Sequence, residues 1–239
     1  MILYYAGGDR NPKDVRDAIR SGARHFMLSY FYWKSHASLI RLMRSHGVHL
    51  MLDSGAFSAW KQGGEIDVNR YIAYIQRSRI GKYIALDVVG DPEKSDAHVR
   101  QMEEAGLHPI PVFHFGTDFR WLDRYAARYP YIALGGTVGK PKRVRDAFFA
   151  EAFARHPQIH YHGLGMTTPE LLCKYPWFSV DSTTWLVGKK QGRLVTDDGQ
   201  VPLEPGMSVS ERVCVNVAAF VVKERELTKQ KGPHFDDRK

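Results

Sequence analysis

Short apolar runs alternate with longer amphipathic segments along nearly the whole chain. The runs are Ile2–Ala6, His25–Ser29, Val48–Asp53, Tyr83–Asp87, Ile110–His114, Tyr131–Leu134, Ile159–His162 and Phe178–Asp181. Each has the length and composition of a buried strand. The segments between them repeat their apolar positions at the helical period, and several carry start signals. Asn11-Pro12 and Asp91-Pro92 each place a capping side chain before a proline suited to the first helical turn. Ser208 followed by Glu211 opens a long last helix, about 208–226, with a capping-box pattern.

Strand and helix in strict alternation imply parallel strands joined by right-handed crossovers, and eight such units predict a closed (β/α)8 barrel of the TIM type. The alternative, an open doubly wound sheet, lacks a Gly-x-Gly-x-x-Gly after the first strand. The barrel is expected to occupy residues 1–228 as one domain, followed by a polar tail, 229–239. The last βα loop holds an insertion: a basic stretch, 188–193, then a small hairpin, 194–201, with an Asp-Gly turn.

Composition narrows the function classes. With 239 residues and 44% of them hydrophobic, one sizeable core is affordable. No apolar run approaches the length of a membrane span, and residues 1–6 read as a strand rather than a leader, so a cytoplasmic setting is expected. Cys173 and Cys214 lie far apart without metal-ligand spacing and read as small packing residues. A formal charge of +8 favours an anionic partner, most simply nucleic acid.

In a barrel of this kind, chemistry sits at the C-terminal ends of the strands. Read in order, those ends are Gly7-Gly8, Ser29, Asp53-Ser54, Asp87, His114, Gly135-Gly136, Gly163 to Gly165 and Asp181-Ser182. Three carboxylates and several small residues thus converge on one mouth. A single Asp at a loop start is commonly a helix cap, whereas three at one mouth suggest a site, with glycines leaving room for a flat ligand. His160 and His162 share a strand face but lack a third metal ligand, and the acidic mouth disfavours a centrally bound phosphate.

Some of these segments resemble a known family. Leu52-Asp53-Ser54-Gly55-Ala56-Phe57 resembles the Asp-Ser-Gly-Gly-Phe motif of the tRNA-guanine transglycosylases. The stretch 133–139 is similar to that family's Ala-Leu-Gly-Gly loop. The stretch 162–172 is similar to its Gly-Val-Gly-Thr-Pro-Glu segment, and Val180-Asp181-Ser182 to its Phe-Asp-Ser pattern. The matches fall in order over about residues 50–190. The family's cysteine zinc motif is missing, and His114 stands where a glutamine is expected. The short, zinc-free outline is most like the DNA-guanine transglycosylases of phages and bacterial DNA-modification islands.

The resemblance implies a pentosyltransferase that exchanges guanine in DNA for a free 7-deazaguanine base, 7-cyano-7-deazaguanine being the natural candidate. Asp181 would be the nucleophile and Asp53 the general acid/base. Asp87 would read the guanine edge, with Ser54, His114, Gly135, Gly136 and Gly165 completing the base pocket. The DNA would be single-stranded or would present a flipped base, its phosphates held by Lys189, Lys190 and Arg193. No metal or other cofactor is implied, and the oligomeric state is left open, a homodimer included. Three other readings are a zinc-free transglycosylase acting on tRNA, a non-catalytic nucleic-acid-binding barrel, and an unrelated barrel hydrolase or aldolase using the same mouth. The aldolase version is disfavoured because no lysine ends a strand.

Overall fold

The computed structural model describes residues 1–166, 168–196, 199–203 and 206–230. Eight apolar runs form eight parallel strands: β1 Ile2–Ala6, β2 His25–Ser29, β3 His49–Asp53, β4 Lys82–Tyr83, β5 Val112–His114, β6 Tyr131–Gly135, β7 His160–Gly163 and β8 Ser179–Ser182. Their order is β4-β3-β2-β1-β8-β7-β6-β5, and the sheet curls so that Ile84 and Ile110 bridge its two edges. This is the single-domain (β/α)8 fold expected from the alternation.

Side chains alternate across each strand and so divide the core in two. Ile2, Tyr4, Met27, Met51, Val112 and Ala133 fill the barrel interior. Leu3, Tyr5, Phe26, Leu28, Leu52 and Leu134 face outward into the layer beneath the helices. That parity decides what reaches the mouth. Two residues beyond inward Met27, Met51, Val112 and Ala133 stand Ser29, Asp53, His114 and Gly135. Asp181 pairs in register with inward Tyr4.

Between the strands run α1 Pro12–Arg20, α2 His36–Ser45, α3 Ala56–Lys61, α4 Val68–Ser78, α5 Pro92–Glu104, α6 Arg120–Ala126, α7 Lys142–Arg155 and α8 Pro169–Lys174. The anticipated caps form: Asn11 accepts from the Lys13 and Asp14 amides, and Asp91 accepts from the Lys94 amide. After β8 come α9 Val187–Gln191, the antiparallel pair β9 Arg193–Thr196 and β10 Gly199–Pro202, and α10 Val209–Gln230. Ser208 and Glu211 make the capping box, N–H to Oε2 at 2.7 Å and N–H to Oγ at 3.3 Å.

The structure differs from the sequence reading in four places. β4 is shorter than the expected run to Asp87. The Ile84 and Ala85 N–H groups still donate to the Leu52 and Ile110 carbonyls at 2.8 Å each. Beyond them the chain turns to α5, where His98 Nδ1 lies 3.0 Å from the Leu86 carbonyl and the Val88 N–H donates to Ser95 Oγ at 2.9 Å. β5 starts at Val112, behind Pro111, which has no N–H to give the ladder. The basic stretch after β8 is partly helical, as α9. The helix α10 carries through Lys229 and Gln230, which had been placed in the tail; residues 231–239 and the Asp197-Asp198 turn lie outside the described residues. Among the described residues no helix is long and apolar enough to cross a membrane.

Candidate active site

The carboxylate of Asp53 ends β3 at the mouth of the barrel. The chain must reverse immediately after it, and Gly55 does so at φ 76°, in the left-handed region. A side chain there would also come within 2.7 Å of the Phe31 backbone nitrogen. The turn aims the Gly55 N–H back at Asp53 Oδ2, 3.0 Å away. Burial pushes the Asp53 carboxyl up to about 7, and the charges of Asp87 and Asp181 push in the same direction. The Gly55 N–H and the Ser29 hydroxyl oppose the shift, although Ser29 Oγ, which is buried, makes no well-directed hydrogen bond. Near neutral pH this group divides between acid and carboxylate, the condition a proton-transfer catalyst needs.

Asp87 is built differently. Ser54 Oγ donates to its Oδ1 at 2.9 Å, and His114 Nε2 lies 2.7 Å from its Oδ2. With both oxygens engaged, Asp87 acts as the anchor of a serine–aspartate–histidine chain. Its partner His114 then carries a proton on Nε2, donated to that carboxylate. Gly136 packs on that ring: a Cβ there would sit 3.2 Å from His114 Nδ1. The space expected for a flat ligand at this glycine is therefore filled by histidine.

Asp181 comes from β8 and is mostly buried. Gly165, at φ 64°, turns its N–H onto Asp181 Oδ1 at 2.8 Å. Beneath it His162 is fully buried, with Nε2 3.4 Å from the same oxygen and Nδ1 2.6 Å from Ser179 Oγ. Tyr131 continues this chain, its hydroxyl 2.5 Å from Ser179 Oγ. The barrel interior thus carries a polar column where aliphatic layers are usual.

The mouth gathers Asp53, Ser54, Asp87, His114, Gly135, Gly165 and Asp181 as the strand-end reading required. It does not gather the basic residues. Lys189 is paired with the buried carboxylate of Asp14 at 2.7 Å, and Arg193 donates to the Gln200 carbonyl at 3.0 Å. Lys190 alone of the three stands exposed without a polar partner among the described residues. Of the aromatic residues near the mouth, Trp185 is core, its indole N–H donating to the Ala6 carbonyl. Phe57 and Trp60 are exposed and stacked on each other. Sequence reasoning missed His162 as a buried neighbour of Asp181, its Nε2 lying close to the carboxylate without a well-directed hydrogen bond. Its signal was its place on the inward parity of β7, one residue pair below the strand end. Among the described residues no group of three His, Cys, Asp or Glu side chains is placed to hold a metal ion.

No family model matches the sequence, and no curated protein matches it. Solved structures do match. A native KDPGal structure, an aldolase, aligns with 96% of this chain and 97% of its own at 14% identity and a TM-score of 0.59. A mutant tryptophan synthase α-subunit from Pyrococcus furiosus aligns over 92% and 97% at 14% identity and a TM-score of 0.57. Tryptophan synthase subunit alpha from Legionella pneumophila aligns over 94% and 93% at 13% identity and a TM-score of 0.55. These are (β/α)8 proteins of other families, and nothing among them points to a transglycosylase. The likeness to tRNA- and DNA-guanine transglycosylases, with its base exchange, 7-deazaguanine and DNA-modification role, is overturned by that finding. The short motifs that carried it are turn signatures: Gly55 and Gly165 are dictated by left-handed backbone at strand ends, a demand that any barrel with such turns shares. At these identities the neighbours establish the fold of the chain and leave its chemistry to the mouth residues.

Proposed function

We propose that the chain is an acid–base enzyme of the lyase or isomerase type, with Asp53 moving the proton. The observation that carries this reading is the position of Asp53 at the barrel mouth with its carboxyl raised to about 7. The structural neighbours, an aldolase and tryptophan synthase subunits, support an enzyme on this scaffold. Asp181, fixed by the Gly165 N–H, supplies a second acceptor that stabilises positive charge or orients a hydroxyl. His114, held by Asp87 through Nε2, supplies a polar ring at the mouth. No lysine ends a strand, so carbonyl activation through an imine is not part of this mechanism.

Three carboxylates at one mouth repel an anionic reacting centre. The substrate that fits is a small neutral or cationic molecule rich in hydroxyl or amine donors. The experiment is incubation with a panel of neutral hydroxy-carbonyl and amino compounds in D2O, read by proton NMR for exchange or cleavage. Turnover should fall at least about 100-fold in Asp53→Asn, and its pH profile should show an inflection near 7 that the variant lacks. Turnover that is undiminished in the variant, or flat across neutral pH, would overturn the assignment.

A further inference from the structure

The last helix, α10, is apolar on both of its faces. Its inner face packs Val213, Val217, Phe220 and Val221, all buried, against β1 and α1. Its outer face carries Val215, Ala218 and Val222, and these stand in solvent, the two valines 41% and 51% exposed. From Val213 to Val222 the one hydrophilic side chain is Asn216, and it is used internally. It accepts the Val195 N–H at 2.7 Å and donates to the Arg193 carbonyl at 3.3 Å. A helix on the surface of a barrel ordinarily turns polar residues outward, whereas one that is apolar all round is covered on all sides. Valine also suits an exposed helix less well than alanine, lysine or glutamate, so helix formation does not account for these positions. We propose that the outer face of α10 is a homodimer interface, packed antiparallel against α10 of a second copy of this chain about a two-fold axis at Ala218.

The choice of occupant follows from the order of charges along this face. Its exposed residues follow one another at spacings of four and three: Glu211, Val215, Ala218, Val222, Arg225 and Lys229. That spacing makes a straight seam along the helix, about 27 Å long. The seam is acidic at its start, apolar in its middle and basic at its end. Two such seams complement each other only when they run in opposite directions.

Antiparallel packing centred on Ala218 sets Glu211 against Arg225 of the second copy and Val215 against Val222 of the second copy. Each contact is made twice, as a two-fold axis requires. Parallel packing would set like charge on like charge at both ends of the seam. The antiparallel arrangement also brings the positive end of each helix dipole to the negative end of the other. Ala218 is the smallest side chain of the seam and falls at the crossing, where it lets the two helices approach to about 8 Å. With one helix from each copy, the buried area lies at the small end of specific interfaces, so the dimer is weak and reversible.

The test is sedimentation of the full chain from about 1 to 500 μM, where a reversible dimer with a Kd of about 10–100 μM is expected. Val222→Lys is the decisive variant. It places two lysines in the seam and should weaken the dimer at least about tenfold. The melting temperature of the dilute protein should hold, because Val222 is exposed and lysine is the better helix former. Cysteine cross-linking reads the orientation, in a background of Cys173→Ser and Cys214→Ala. Glu211→Cys mixed with Arg225→Cys should give a disulfide-linked dimer under mild oxidation, and neither alone should; Ala218→Cys should link to itself. A chain that stays monomeric throughout, or a dimer unaffected by Val222→Lys, would overturn the proposal. Cross-links formed by Arg225→Cys alone would show parallel packing and overturn it as well. So would a dimer that appears only once residues 231–239 are removed, since that segment would then cover the seam in place of a second copy.

Discussion

The raised carboxyl of Asp53 makes a quantitative claim about stability. In the unfolded chain the group ionises near 3.8, and in the folded barrel near 7. A group whose folded value is raised favours the fold fully below its unfolded value, and that contribution is lost as pH rises through the folded one. Ionised Asp53 therefore destabilises the barrel progressively from about pH 4 to pH 7, with a plateau above. At about 1.4 kcal/mol per unit, the three-unit difference corresponds to ~4 kcal/mol at most, and side-chain relaxation and water at the mouth reduce it to about 2. Asp53→Asn removes the charge while its amide oxygen can still accept the Gly55 N–H. The variant should match the parent at pH 4 and exceed it by about 2–4 kcal/mol at pH 8 in urea unfolding. In thermal unfolding, the lower figure corresponds to a gain of roughly 4–8 °C for a chain of this length. Equal effects at both pH values, or a loss of stability at pH 8, would show that Asp53 is not held as an acid by its surroundings.

Further outcomes follow from neighbouring residues. Asp181→Asn should lower the Asp53 titration midpoint, since one of the two charges that raise it is gone; carboxyl carbon NMR reads this directly. Gly55→Ala should cost about 2–4 kcal/mol in urea unfolding, because the new Cβ meets Phe31 at 2.7 Å on a left-handed backbone. His114→Ala should leave the fold in place by circular dichroism while abolishing most turnover, since Asp87 then loses the partner on its Oδ2. Lys189→Ala should destabilise the chain by about 1 kcal/mol, as Asp14 is left buried without its cation.

The fold was legible because period and parity are local properties. Eight apolar runs, a capping asparagine and a capping box sufficed to place the strands and to bring Asp53, Asp87, His114 and Asp181 to one end. The roles inside the site were less legible because they depend on what each group faces. Asp87 looked like an open ligand reader, but Ser54 Oγ and His114 Nε2 occupy its two oxygens, and those partners come from other strand ends, far away in the sequence. Lys189 looked like a phosphate contact because its sequence neighbours are basic, yet helix α9 turns it onto Asp14. The family resemblance failed for a related reason. Short glycine-centred motifs report the backbone conformation of a strand end, and similar conformations recur across barrels of separate families.

The lacing of β1 to the far end of the chain governs how this protein can fold during synthesis. Ile2 pairs with Ser179, and the Leu3 amide donates to Glu224, 221 positions away. β1 therefore has only β2 as a sheet neighbour until β8 has been synthesised. Its aromatic side chains Tyr4 and Tyr5, both fully buried in the finished barrel, remain without that cover throughout. Sheet closure is thus a late, long-range event, and a chain stalled before β8 presents an open, apolar strand edge to chaperones and to other nascent copies.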